Sequence, residues 1–115
     1  MFNKYSECFA CKCCGTLPEN GMDEQLINLL NEAGILEEEI NCGYRCPEHN
    51  EEVGGEPNSQ HLLGTAADVD ASEFGVEKLA RWFEKLGADG VGRYPDSCFV
   101  HVDTRSGRSF DTYRW

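Results

Sequence analysis

The stretch Ser59-Gln60-His61-Leu62-Leu63-Gly64-Thr65-Ala66-Ala67-Asp68-Val69-Asp70, with Phe99-Val100-His101-Val102-Asp103 further along, decides how the rest of the chain is read. His61, Asp68 and His101 supply two imidazole nitrogens and one carboxylate oxygen. That is the ligand set of a catalytic zinc site, in which three protein ligands leave one tetrahedral position open for water, whereas a structural zinc is normally closed by four. The open position carries the chemistry, because water held there is acidic enough to attack an amide near neutral pH while the metal polarises the carbonyl. Spacing alone does not separate such a site from a polar loop histidine and a capping aspartate; the neighbouring residues do. Gly64, Ala66 and Ala67 leave little side-chain bulk between the first two ligands, so the backbone can turn tightly and enter a strand at Asp68-Val69-Asp70. In the second segment, alternation puts Phe99, His101 and Asp103 on one strand face and Val100 and Val102 on the other, so one face can be core and the other a site.

These two segments resemble the zinc D-Ala-D-Ala carboxypeptidase and endopeptidase family of peptidoglycan hydrolases, the peptidase M15 type, in the small single-domain form often found in phage genomes. The similarity extends to Phe9-Ala10-Cys11-Lys12-Cys13-Cys14-Gly15, to Gly43-Tyr44-Arg45-Cys46-Pro47-Glu48-His49-Asn50, to Val53-Gly54-Gly55 with Pro57-Asn58-Ser59, and to Gly90-Val91-Gly92-Arg93-Tyr94. It therefore runs from about residue 9 to the C-terminus, and two separated motifs in the right order are more specific than either alone. The resemblance implies a small antiparallel sheet with flanking helices, a Hedgehog/DD-peptidase-like zinc fold, with the metal on the open sheet face. It also implies Zn2+ as cofactor and a peptidoglycan stem peptide as substrate, cut at a bond involving a D-residue during phage lysis or cell-wall remodelling.

Composition agrees with one domain over residues 1–115. A chain of 115 residues buries roughly two-thirds of its unfolded surface, enough for one core. There is no internal repeat, linker or low-complexity tract, so one α+β domain is the economical reading, and a monomer is expected. No apolar run approaches the roughly 18 to 20 residues that span a bilayer, and Met1-Phe2-Asn3-Lys4-Tyr5-Ser6-Glu7 lacks the apolar stretch of a secretory signal. Synthesis in a cytoplasm is expected, with action on the cell wall after release or as part of a virion. The net charge of -11 is concentrated between Glu19 and Glu56 and disfavours nucleic acid as a partner. Towards the C-terminus Arg93, Arg105, Arg108 and Arg114 offset Asp96, Asp103 and Asp111, so an anionic substrate is expected to approach there.

Periodicity predicts a helix over Asp23–Ala33, capped by Asp23, striped by Leu26, Ile27, Leu29, Leu30 and Ala33, and ended by Gly34. A second is predicted over Val76–Leu86, where Val76, Leu79, Ala80, Phe83 and Leu86 follow the i, i+3, i+4 spacing and Gly87 stops it. Short strands are predicted near Glu39–Cys42, Ala66–Ala71, Gly90–Arg93 and Cys98–Asp103. The stretch from Glu51 to Gly64, rich in Gly, Asn, Pro and Ser, reads as an active-site loop leading to His61. Trp82 is expected at the rim of the core. Tyr113 and Trp115 either pack over the sheet or line the substrate groove.

Other polar residues take expected roles. By resemblance Arg45 faces the site and pairs with a substrate carboxylate or the developing oxyanion through its planar fork. The Ser59 hydroxyl holds substrate or a group behind the ligands. Asp103, two residues beyond His101 on the same strand face, is placed to orient an imidazole, since ligand histidines donate their second N–H to a carboxylate or carbonyl. A zinc peptidase also needs a carboxylate to move a proton from water to the leaving amine. Many relatives carry one three residues before the last histidine; that position here is Cys98, and Asp96 in the Tyr94-Pro95-Asp96-Ser97 turn is the nearest substitute. His49 matches no ligand, and a capping or surface role after Pro47 is expected.

Seven cysteines in so short a chain leave three readings open. Cys8, Cys11, Cys42 and Cys46 could close a structural zinc, the thiols could stay reduced and half-buried, or one disulfide could form in an oxidising compartment. Two functions likewise stay open: a zinc peptidase of the cell wall, favoured by the His61, Asp68, His101 set, and a non-catalytic zinc-bearing wall-binding or structural module, kept alive by Cys98.

Overall fold

The computed structural model describes residues 2–12, 14–55 and 59–104, and the backbone of 113–114. Three helices accompany a sheet: α1 (Glu24–Ala33), α2 (Pro47–Glu52) and α3 (Val76–Lys85), with β1 (Ile40–Cys42), β2 (Ala66–Asp70), β3 (Gly90–Tyr94), β4 (Phe99–Asp103) and β5 (Tyr113–Arg114). Helix α3 packs on β3 and β4, and α1 packs on α3. The strand order is β1-β2-β4-β3-β5. The first four strands are antiparallel, as the resemblance implies, while the two-residue β5 runs parallel to β3 at the edge.

The two predicted helices form for the expected reasons. The Asp23 carboxylate accepts from the Leu26 N–H at 3.3 Å, and Gly34 ends α1 in the left-handed region at φ 74°. Asp23 also accepts from Thr104 Oγ1 at 2.7 Å, so one side chain both caps the helix and ties it to the end of β4. Leu26 and Leu30 of α1 and Phe83 of α3 are fully buried with Val69, Val91, Val100 and Val102 on the inner sheet face. Burying each such side chain contributes on the order of 1.5–3 kcal/mol. Trp82 stays 42 % exposed, consistent with a rim position.

Three local readings change. Helix α2 was not anticipated: Pro-Glu-His-Asn-Glu-Glu has no apolar stripe, and its start is set by Pro47 in the first turn and by the Cys46 side chain accepting from the His49 N–H. The expected loop from Glu51 to Gly64 is thus helical at one end and a 3-10 turn, Gln60–Leu63, at the other. Cys98 lies not in β4 but in the preceding turn, with φ 56°, a left-handed conformation that costs a non-glycine residue about 1–2 kcal/mol. Pro57, Asn58, Arg105, Arg108, Asp111 and Trp115, and the side chains of Tyr113 and Arg114, lie outside the described residues. No helix among the described residues is long and apolar enough to cross a membrane.

Candidate metal centre

The outer sheet face carries one row of opposed residues across four strands. Cys42 of β1 pairs with Asp68 of β2, Asp68 with His101 of β4, and His101 with Gly92 of β3. Strand pairing thus sets His101 directly against Asp68, while Ala67, Val69, Val100 and Val102 alternate into the core. His61 arrives from the 3-10 turn ahead of β2. Ser59 caps that turn, its Oγ accepting from the His61 N–H at 3.2 Å. Gly64 ends it at φ 73° against Pro18, whose Cγ would lie 2.8 Å from a Cβ added there, so only glycine fits.

Both rings converge on one carboxylate oxygen. His61 Nε2 lies 3.3 Å and His101 Nδ1 3.1 Å from Asp68 Oδ1. Tetrahedral bonds of about 2.0–2.1 Å put neighbouring ligand atoms about 3.3–3.4 Å apart, so these separations suit a small divalent cation. The far nitrogens are both taken. His61 Nδ1 donates to the Gly43 carbonyl at 2.6 Å, and His101 Nε2 donates to Asp103 Oδ2 at 2.8 Å. A carbonyl or carboxylate can only accept, so each neutral ring keeps its proton on the far side and turns a lone pair towards Asp68, as ligand histidines require. Asp103 itself is fully buried, and Gly90 opposite it leaves the space that its carboxylate fills: a Cβ there would lie 2.6 Å from Oδ1.

The electrostatics point the same way. Burial alone would raise the Asp68 pKa, yet hydrogen bonds from His101 and His61 hold it well below the usual carboxylate range. Burial would lower His61, but Asp68 and, to a lesser degree, Cys42 push it up to about 9. His101 is likewise raised, because Asp103 and Asp68 outweigh its burial. Asp68 and Asp103 thus favour positive charge at the two rings, a condition that a divalent cation beside them would also meet, so the residues fit the group.

Arg45 is tied to the same turn, its N–H donating to the His61 carbonyl at 3.1 Å. Its Nη2 donates to Ser59 Oγ at 3.4 Å and its buried Nε has no partner, and no ion pair engages it among the described residues. A guanidinium held this way keeps its fork for an anionic group. Ser59 thus links Arg45 to the turn that carries His61. Arg93, by contrast, is spent on α3: Nη1 lies 3.0 Å from Glu84 and Nε 3.0 Å from Glu77, which removes it from the expected substrate approach.

The structure does not bring Asp96 to the cluster. The β3–β4 ladder runs on to Tyr94 opposite Phe99, so the turn holding Asp96 lies beyond the rung two residues past His101, about 7 Å further along the strand. There Asp96 is exposed. Sequence reasoning missed Cys42, whose Sγ is 3.9 Å from His61 Nδ1 and which forms with His61 and Asp68 a group able to hold a metal ion. Only the β1–β2 register, not any spacing in the chain, reveals it. The four cysteines considered for a structural zinc are also split, since Cys42 sits here while Cys11 and Cys46 meet elsewhere together with Cys14.

The His–Asp–His cluster on the outer face of an antiparallel sheet has the donor set of a metallohydrolase type of centre. Residues 19–103 match the family model for peptidase M15, and the chain belongs to that family. It is 34% identical over 88 residues to the probable peptidoglycan L,D-endopeptidase MepK of Haemophilus influenzae, covering 70% of this chain and 47% of that protein. It is 31% identical over 94 residues to the peptidoglycan L,D-endopeptidase MepK of Escherichia coli K12, covering 76% of this chain and 52% of that one. The chain spans about half the length of these relatives.

Proposed function

We propose that this chain is a zinc-dependent peptidase that hydrolyses peptidoglycan stem peptides, with His61 Nε2, Asp68 and His101 Nδ1 holding the metal. The observation that carries this is the convergence of both imidazoles on one Asp68 oxygen, each with its far nitrogen tied to an acceptor. Zinc held by these groups supplies an acidified water and a polarised scissile carbonyl. The chain's own residues do the rest. Gly43 and Asp103 keep the two rings in the ligand tautomer, and Arg45 offers its fork to a substrate carboxylate or to negative charge developing on the carbonyl oxygen.

The names of the relatives favour an internal bond between an L- and a D-residue over removal of a terminal D-alanine. The test is mass spectrometry of purified muropeptides incubated with the zinc-loaded chain. Internal cleavage that disappears in His61→Ala is expected; loss of a terminal D-alanine alone would establish a carboxypeptidase. The second reading, a zinc-bearing module that binds the wall without cutting it, is favoured by the exposed position of Asp96 and by Cys98 three residues before His101. Intact muropeptides after incubation with protein of full zinc content would establish that reading instead.

A further inference from the structure

Outside the His–Asp–His centre, the Cys11, Cys14 and Cys46 thiols gather with their sulfurs within 4.8 Å of one another. Cys11 and Cys14 belong to a tight turn closed by the Gly15 N–H to the Cys11 carbonyl at 2.8 Å and the Cys11 N–H to the Thr16 carbonyl at 2.8 Å. Gly15 takes φ +71°, and this C-x-x-C-G turn aims two thiols to one side. Cys46 comes from the start of α2, far away in sequence. The Cys11 and Cys46 sulfurs are 3.6 Å apart, well beyond a disulfide bond of about 2.05 Å and close to the about 3.8 Å edge of a tetrahedron with 2.3 Å zinc–sulfur bonds. Backbone N–H groups of Cys46 and His49 point at the Cys11 and Cys46 sulfurs, each at 3.4 Å, an arrangement that suits thiolates.

A second observation points to a ligand. His49 stands three residues after Cys46 on α2, and its Nδ1 is buried without a hydrogen-bond partner. The donors are then C-x2-C followed by C-x2-H, a Cys3His set of the kind that closes a structural zinc. The His49 ring is not among the groups already converged, but its residue adjoins them, its backbone N–H meeting the Cys46 sulfur at 3.4 Å.

We propose that Cys11, Cys14 and Cys46, with His49 as fourth donor, form a second, structural zinc site that clamps the N-terminal turn to the start of α2. Binding releases the three thiol protons to solvent, and no electron is transferred. Because Tyr44 and Gly43 pack on Phe9 beside this clamp, it also steadies the carbonyl that orients His61.

The test is cobalt and zinc loading of the full reduced chain. Two metal equivalents are expected for wild type and one for His61→Ala/His101→Ala. That double variant should retain the intense near-ultraviolet charge-transfer absorption of thiolate–cobalt bonds, and Cys11→Ser/Cys46→Ser should lose it. Should the cysteine double variant not fold, the single variant at exposed Cys14, Cys14→Ser, is expected to weaken the second metal and dim the band. His49→Ala should keep the band and weaken zinc on the order of a hundredfold. A double histidine variant that binds no metal, or a mass two hydrogens lighter that marks a native Cys11–Cys46 disulfide, would overturn the site; unchanged zinc affinity in His49→Ala would remove His49 from it.

Discussion

Asp103→Asn isolates the orienting hydrogen bond behind His101. Asp103 is fully buried and its Oδ2 accepts from His101 Nε2 at 2.8 Å, so the pair is charge-assisted and shielded from solvent. A hydrogen bond to a charged group is worth about 1.5–3 kcal/mol against about 0.5–1.5 for a neutral one, a difference of roughly 1–1.5 kcal/mol. At about 1.4 kcal/mol per decade this predicts close to a tenfold loss of zinc affinity if the amide oxygen keeps accepting. If the amide instead turns its NH2 towards His101, the ring moves its proton to Nδ1, the atom facing Asp68, and the loss approaches the hundredfold known for partners behind metal ligands. Competition with a chromophoric chelator measures the affinity, and circular dichroism checks the fold. Gly90→Ala reaches the same carboxylate by another route, since the new methyl would stand 2.6 Å from Asp103 Oδ1 and 2.7 Å from its Cγ. It should mimic Asp103→Asn. Wild-type zinc affinity in both folded variants would refute the claim that Asp103 orients His101.

Arg45→Lys keeps the charge but loses the fork, so turnover should fall by on the order of tenfold or more with the melting temperature nearly unchanged; an equal loss of stability would make Arg45 a structural residue. Asp96→Asn should leave zinc content and fold intact, and from its exposed turn we expect cleavage to change less than about tenfold, whereas a loss of a hundredfold would mark it as the general base. In the chelator-treated chain, His61 has its pKa raised from 6.5 to about 9, so its stabilising contribution is complete below 6.5 and is lost as pH rises through about 9. Asp68, lowered from 3.8, contributes above that value and loses its contribution on acidification. Thermal melts should therefore place maximal metal-free stability between these limits, while zinc affinity rises from pH 6.5 to 9 as fewer protons must be displaced. A metal-free melting temperature that climbs over that interval would contradict the charged cluster.

Sequence by itself determined the elements whose signals are local. Asp23 and Gly34 bracket α1 because capping and the left-handed turn are properties of single residues, and alternation in Phe99–Asp103 separates core valines from site residues because side chains of a strand must alternate. The donor types in the two motifs, with the resemblance to M15 peptidases, singled out His61, Asp68 and His101, and alternation put Asp103 on the strand face of His101. Helix α2 was not legible, since a six-residue polar helix is stabilised by a proline and a cap rather than by a stripe. Only tertiary structure decided the relations between distant residues. The β1–β2 register placed Cys42 beside Asp68, the end of the β3–β4 ladder left Asp96 at an exposed tip, and α3 claimed Arg93. The cysteines show the difference most clearly: spacing grouped Cys8 with Cys11 and Cys42 with Cys46, but thiols are partnered by proximity in space, and the fold gathers Cys11, Cys14 and Cys46 while sending Cys42 to the opposite end of its loop.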